Sequence, residues 1–324
     1  MPARKKSPSV VTGDMRTQYV GGALLKVLNE TAGDYVFRQK LIEKIEAIRK
    51  RRIVTYISAI DHPAVQVDLN DAHNLETCFR APSQFKPIDL VIHSPGGSAD
   101  AAERIIYLAR RYSGDDFRVV VPSFAKSAAT IIALGADQIV MSDGSELGPI
   151  DPQLVITTPQ GQAVRRAAAS FVEHRDELLV RVREALQSNQ PPHAYMQMIQ
   201  QVDGPFVKDC ERAINLSKEM AKKWLKQYMM AGSNDATIQG TVDAFSDPKR
   251  TLSHGRMIDY EQAKAAGIKV EHIPKDNDLW EMFLELLFRS TQFLAMEVSR
   301  IKLYETANVS LKLDAVVRAV PVRT

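Results

Sequence analysis

The 324 residues carry 42 Lys+Arg against 39 Asp+Glu, a net charge of +3, which excludes a chain built around a broad basic face for bulk nucleic acid. Hydrophobic residues make up 45% and charged residues 25%, the balance of a globular protein with a real core. Cys78 and Cys210 are the two cysteines, too few for a disulfide scaffold or a four-cysteine zinc site, and the seven histidines form no HExxH or HxxxH pair, so neither metal nor cofactor is expected.

Residues 1–33 begin with a basic, Ser/Thr/Pro-containing stretch and read as a mobile tail. The start MPARKKSPSVVTGDM lacks the apolar run of a signal peptide, and no segment nears the roughly 18–20 apolar residues of a membrane span, so a cytoplasmic location is expected. Residues 34–51 place Val36, Leu41, Ile42, Ile45 and Ile48 at helical spacing. RIVTYISAI follows as a buried strand. The pattern then alternates: helix 67–79, strand 88–94, helix 99–112, strand 117–122, helix 127–135, strand 138–142. Such alternation implies right-handed βαβ units and a parallel sheet covered on both faces. Residues 154–167 break the pattern and read as a protruding β-hairpin turning at PQGQ. Beyond it the chain reads as mainly helical, over 168–188, 192–203, 205–231, 234–247, 259–267 and 276–305. The expected organisation is therefore a tail (1–33), an α/β core (34–167) and a helical extension (168–324) for oligomerisation or site access.

Two loops carry candidate chemistry, each between a strand and a helix. In His93-Ser94-Pro95-Gly96-Gly97-Ser98 two glycines free the backbone to turn and expose its N–H groups, with Ser98 as a helix N-cap. In Ala125-Lys126-Ser127-Ala128-Ala129-Thr130 a serine stands at the positive end of a helix, flanked by small residues. A Pro-Gly-Gly turn or an N-cap serine has an ordinary structural meaning by itself. Together they end successive parallel strands, the edge where open α/β sheets place ligands. One loop supplies oxyanion donors and the other a nucleophile, the minimum pair for acyl transfer.

The ordered series SPGGSADAAERI, AKSAATIIALGADQIVMS and SELGPIDPQL resembles the ClpP/crotonase superfamily, and within it the serine dehydrogenase proteinase family, relatives of signal peptide peptidase A. The likeness covers residues 35–160 and continues more loosely through SHGRMIDYEQAKAAGI (253–268). It implies a ClpP/crotonase-like α/β fold and an ATP-independent serine peptidase. By position, Ser127 matches the nucleophile, and Gly96, Gly97 and the Ala128 N–H match the oxyanion hole. The hairpin matches the place where such enzymes bind a substrate strand or make oligomer contacts, so a peptide or protein substrate and a homo-oligomer are implied.

The general base departs from the superfamily pattern. Pro152 stands where the ClpP subunit has histidine, and Ala168 where a signal peptide peptidase lysine would fall. A serine at its free pKa is a poor nucleophile, so another group must serve. His254, in the polar SHGR loop, suits base chemistry near neutral pH, with Asp151 to orient it. Lys208, near a helix start, would need desolvation, and Lys126 points away from its sequence neighbour. Two other functions fit the same loops: an oligomeric peptide- or partner-binding scaffold without turnover, and a crotonase-type acyl-CoA enzyme.

Overall fold

The computed structural model describes residues 35–60, 62–157 and 160–315; the 1–33 tail lies outside them. In chain order the elements are α1 (Tyr35–Arg49), β1 (Arg52–Ser58), α2 (Leu69–Arg80), β2 (Ile88–His93), α3 (Ala99–Tyr112), β3 (Phe117–Val120), β4 (Phe124–Ala125), α4 (Ala128–Leu134), β5 (Gln138–Met141) and β6 (Glu146–Leu147). They continue with β7 (Gln153–Thr157), β8 (Ala163–Ala167), α5 (Ala168–Gln187), α6 (His193–Gln200), α7 (Gly204–Gln227), α8 (Asp235–Ser246), α9 (Tyr260–Ala265), β9 (Val270–His272), α10 (Asp278–Ala295), β10 (Arg300–Glu305) and β11 (Ser310–Asp314).

A seven-stranded sheet in the order β11-β10-β1-β2-β3-β5-β9 forms the centre, with β1, β2, β3, β5 and β9 parallel and β10 antiparallel to β1. The fold is thus the expected mixed α/β, ClpP-like architecture. β2 is buried along its whole length because side chains alternate between two covered faces. Leu90 and Ile92, with Val54 and Tyr56, pack towards α2, α3 and α4. Val91, with Ile53, Val120 and Val140, packs towards Leu41, Ile42 and Ile45 of α1 and Trp280 and Phe283 of α10. β7 and β8 pair antiparallel as a separate hairpin, Val155 opposite Arg165.

The sequence pattern puts the sheet wholly before residue 167 and reads 276–305 as one helix. Instead β9, β10 and β11 complete the sheet from beyond residue 253. Lys302 and Glu305 look like the polar face of a helix in the sequence, yet both are fully buried in β10. Each is neutralised by a partner from the other end of the chain. Arg38 on α1 donates two hydrogen bonds to Glu305, at 2.8 and 2.9 Å, and Asp71 on α2 accepts from Lys302. Tertiary pairing, not local pattern, decides the state of this segment.

Candidate active site

The loop after β2 is shaped by two close approaches. Gly96 has φ +91°, and a Cβ there would lie 2.4 Å from the Lys126 carbonyl oxygen and 2.7 Å from Ser127 Cβ. Gly97 forms a parallel bridge with Val67, and a Cβ on Gly97 would lie 2.3 Å from the Val67 nitrogen. Only glycine fits either place. Val67 N–H donates to the Gly96 carbonyl at 2.9 Å, and Ser98 N–H donates to the Val67 carbonyl at 2.8 Å. Peptide groups alternate sides along such a bridge, so the Gly97 N–H points away from Val67. The Ser98 hydroxyl then accepts from Ala101 N–H and caps α3.

Ser127 sits at the N-cap of α4 with φ 51° and ψ −118°, a conformation that costs a non-glycine residue about 1–3 kcal/mol. Such a strained strand-to-helix turn lifts a side chain clear of the sheet edge. Neither the Ser127 hydroxyl nor the Gly97 and Ala128 N–H groups form a hydrogen bond among the described residues. All three line one cavity of about 860 Å³ including its open mouth, together with His254.

Asp151 and His254 are brought together by a long-range bridge. Leu147 on β6 exchanges both backbone hydrogen bonds with Ile258, at 2.9 and 3.1 Å. Four residues from each end of that bridge stand Asp151 and His254, with Asp151 Oδ1 2.8 Å from His254 Nδ1. Gln153 Nε2 donates to the other Asp151 oxygen at 2.9 Å. Beside an ionised Asp151, Nδ1 carries the imidazole proton and Nε2 keeps its lone pair. The segment leading to Asp151 is anchored on α4, where the Thr130 hydroxyl accepts from Gly148 N–H at 3.1 Å.

The other lysines named from the sequence lie elsewhere. Lys208 on α7 is 63% exposed, pairs with Glu211 at 2.7 Å and does not line the cavity, so it has neither the desolvation nor the position of a base. Lys126 turns away to Glu146, at 3.0 Å, and the Leu147 carbonyl. His93 is buried against Phe124, ring centroids 4.1 Å apart, and burial pushes its imidazole down to about 4. Cys78 and Cys210 are free and buried, and burial pushes the Cys78 thiol up to about 12.

Sequence reasoning placed the hairpin at the site but named none of the residues that wall the cavity. Gln66 comes from the connection between β1 and α2, Val155 and Arg165 from the hairpin, and Ala213, Leu216 and Ser217 from α7. The Arg165 guanidinium donates to the Gln66 side-chain carbonyl oxygen, joining the hairpin to the β1–α2 connection at the cavity wall. No local motif marks these residues; only the packing of hairpin and α7 over the sheet edge brings them in.

The profile of the ClpP-like SDH-type serine proteinases matches residues 30–278, which hold both glycine-rich and serine loops and the Asp151–His254 pair. The chain belongs to this family. β10 and β11 fall outside the span matched by the SDH-type proteinase profile. Two uncharacterized proteins of Methanocaldococcus jannaschii are similar, one 35% identical over 124 residues and one 31% identical over 117. The alignments cover 36% of this chain in both cases, and 43% and 39% of those proteins, so the chain spans about two fifths of the length of these relatives. Among solved structures, a mutant of a membrane-bound stomatin-specific protease aligns over 64% of this chain and 92% of its own, at 17% identity. Its TM-score of 0.28 is too low for the overlap to carry weight. Among the described residues no helix is long and apolar enough to cross a membrane.

Proposed function

We propose that the protein is an ATP-independent serine peptidase in which Ser127, His254 and Asp151 form the catalytic triad. The observation that carries this is the Asp151–His254 hydrogen bond in the same site as Ser127 and two unbonded N–H groups. Ser127 Oγ attacks the peptide carbonyl carbon, and His254 Nε2 takes the hydroxyl proton. The carbonyl oxygen becomes an oxyanion held by the N–H groups of Gly97 and Ala128. Collapse breaks the C–N bond, with the proton passing from His254 to the leaving amine, and leaves an ester on Ser127. Water, deprotonated by His254, then hydrolyses that ester. Asp151 fixes the tautomer and stabilises the imidazolium. Val155 and Gln153 on β7 offer an edge on which an extended substrate adds as a strand.

A fluorophosphonate that labels Ser127 tests the reading. Wild-type protein is expected to label, Ser127→Ala not at all, and His254→Ala slowly, with free imidazole restoring part of the rate. Equal labelling of Ser127→Ala and wild type would sink the proposal. Labelling with no hydrolysis of any peptide library would favour the binding-scaffold reading, which rests on a Ser127 hydroxyl that has no partner among the described residues. The proposed setting is the cytoplasm, and the proposed partner is a second copy of the chain. Leu179, Val180 and Leu186 on α5 and Met196 and Met198 on α6 are exposed, and α6 buries no residue, which leaves an apolar surface for that copy. Light scattering of the intact protein tests this; a monomer at all concentrations refutes it.

A further inference from the structure

A buried cation lies two peptide groups from the Gly97 N–H. Lys302 on β10 is fully buried, and its Nζ donates to the Gln66 carbonyl at 2.7 Å. It also reaches both oxygens of the buried Asp71, at 2.8 and 2.9 Å, and Asp68 Oδ2 at 3.2 Å. The Gln66 carbonyl and the Val67 N–H belong to one peptide group, and that N–H donates to the Gly96 carbonyl at 2.9 Å. The Gly96 carbonyl and the Gly97 N–H belong to the next. An unbroken chain therefore runs from Lys302 Nζ through two amides to the Gly97 N–H, which has no acceptor among the described residues. An ammonium pulling on the first carbonyl polarises each amide in turn and makes the last N–H a stronger donor.

Burial alone does not explain a cation at this place. A buried ion pair replaced by apolar residues is often no less stable. Asp71 is already served by other donors: Tyr56 OH at 2.7 Å, Tyr304 OH and the Asp68 N–H at 2.7 Å. The Gln66 carbonyl has one donor, Lys302, among the described residues.

We infer that Lys302 is a positioning residue for the oxyanion hole, acting through the Gln66–Val67 and Gly96–Gly97 peptide groups to orient and strengthen the Gly97 N–H. The inference rests on the assignment of Ser127 as nucleophile. Asp71→Asn alone is compared with Lys302→Met in the Asp71→Asn background, which leaves no unpaired buried charge. The double variant is expected to label with a fluorophosphonate about tenfold more slowly than Asp71→Asn, below the loss of about 10²–10³ for deleting an oxyanion donor outright. The Gly97 amide proton is expected to move upfield in its nitrogen–proton spectrum, a change that a merely structural role would not produce. Equal labelling rates in two folded variants, or an unmoved Gly97 amide, would overturn the inference. If the double variant does not fold, Lys302→Gln in the same background, uncharged and closer in shape, is read by the same criterion. Ser127→Ala separates the two claims: label uptake without Ser127 sinks the nucleophile, whereas Ser127-dependent uptake indifferent to Lys302 sinks only this inference.

Discussion

Ser127 holds a backbone conformation that glycine adopts freely and serine does not. Ser127→Gly is therefore expected to be more stable than Ser127→Ala by about 1 kcal/mol, while both lose fluorophosphonate labelling. Urea denaturation of the two variants checks the difference; an alanine variant as stable as the glycine one would mean that no strain is stored there. His93 gives the stability of the fold a pH dependence of its own. Its imidazole is held near 4 by burial, below an unfolded value of about 6.5, so the unfolded chain binds the proton more readily. Stability from this group is complete above about pH 6.5 and is lost as pH falls towards 4, by about 2 kcal/mol between pH 7 and pH 5. His93→Phe should remove most of that slope. An unchanged slope would place the acid sensitivity in another group.

At the scale of elements, the two loops depend on strands and helices that the sequence shows locally. The Val67–Gly97 bridge leaves no room for a methyl group, since a Cβ would lie 2.3 Å from backbone nitrogen. Gly97→Ala is expected to push the loop off Val67 and slow acylation by about 100-fold or more, the loss of an oxyanion donor. Folded Gly97→Ala protein labelling at the wild-type rate would remove Gly97 from the proposed machinery. The Pro-Gly-Gly turn and the serine at a helix start were legible because hydrophobic strands and Gly/Pro punctuation are short-range signals. The pairing of Asp151 with His254 is expected from base chemistry rather than from a local pattern, since it hangs on the Leu147–Ile258 bridge between distant segments. Gln66 and Lys302, by contrast, carry no signal in the sequence. One is an ordinary loop residue, and the other a charge inside what reads as a helix.

For the whole molecule, the last strands bind the first elements. Glu305 accepts two hydrogen bonds from Arg38, and both side chains are almost wholly buried. Glu305→Ala leaves that guanidinium unpaired and is expected to cost about 3–5 kcal/mol, read from the urea midpoint. A loss below about 1 kcal/mol, the range of an exposed pair, would show that α1 docks without this clamp.

The antiparallel pairing of Thr55 with Glu305 also sets an order in time. β1 lies inside the finished sheet, yet its β10 neighbour is made some two hundred and fifty residues after it. While those residues are made, at about 5–20 residues per second, β1 keeps an unpaired hydrophobic edge open to other chains. Nascent protein halted before residue 300 should aggregate or be held by chaperones. The site also acquires its innermost support only when β10 closes the sheet, so an unfinished chain carries Ser127 without the cation proposed to stand behind it.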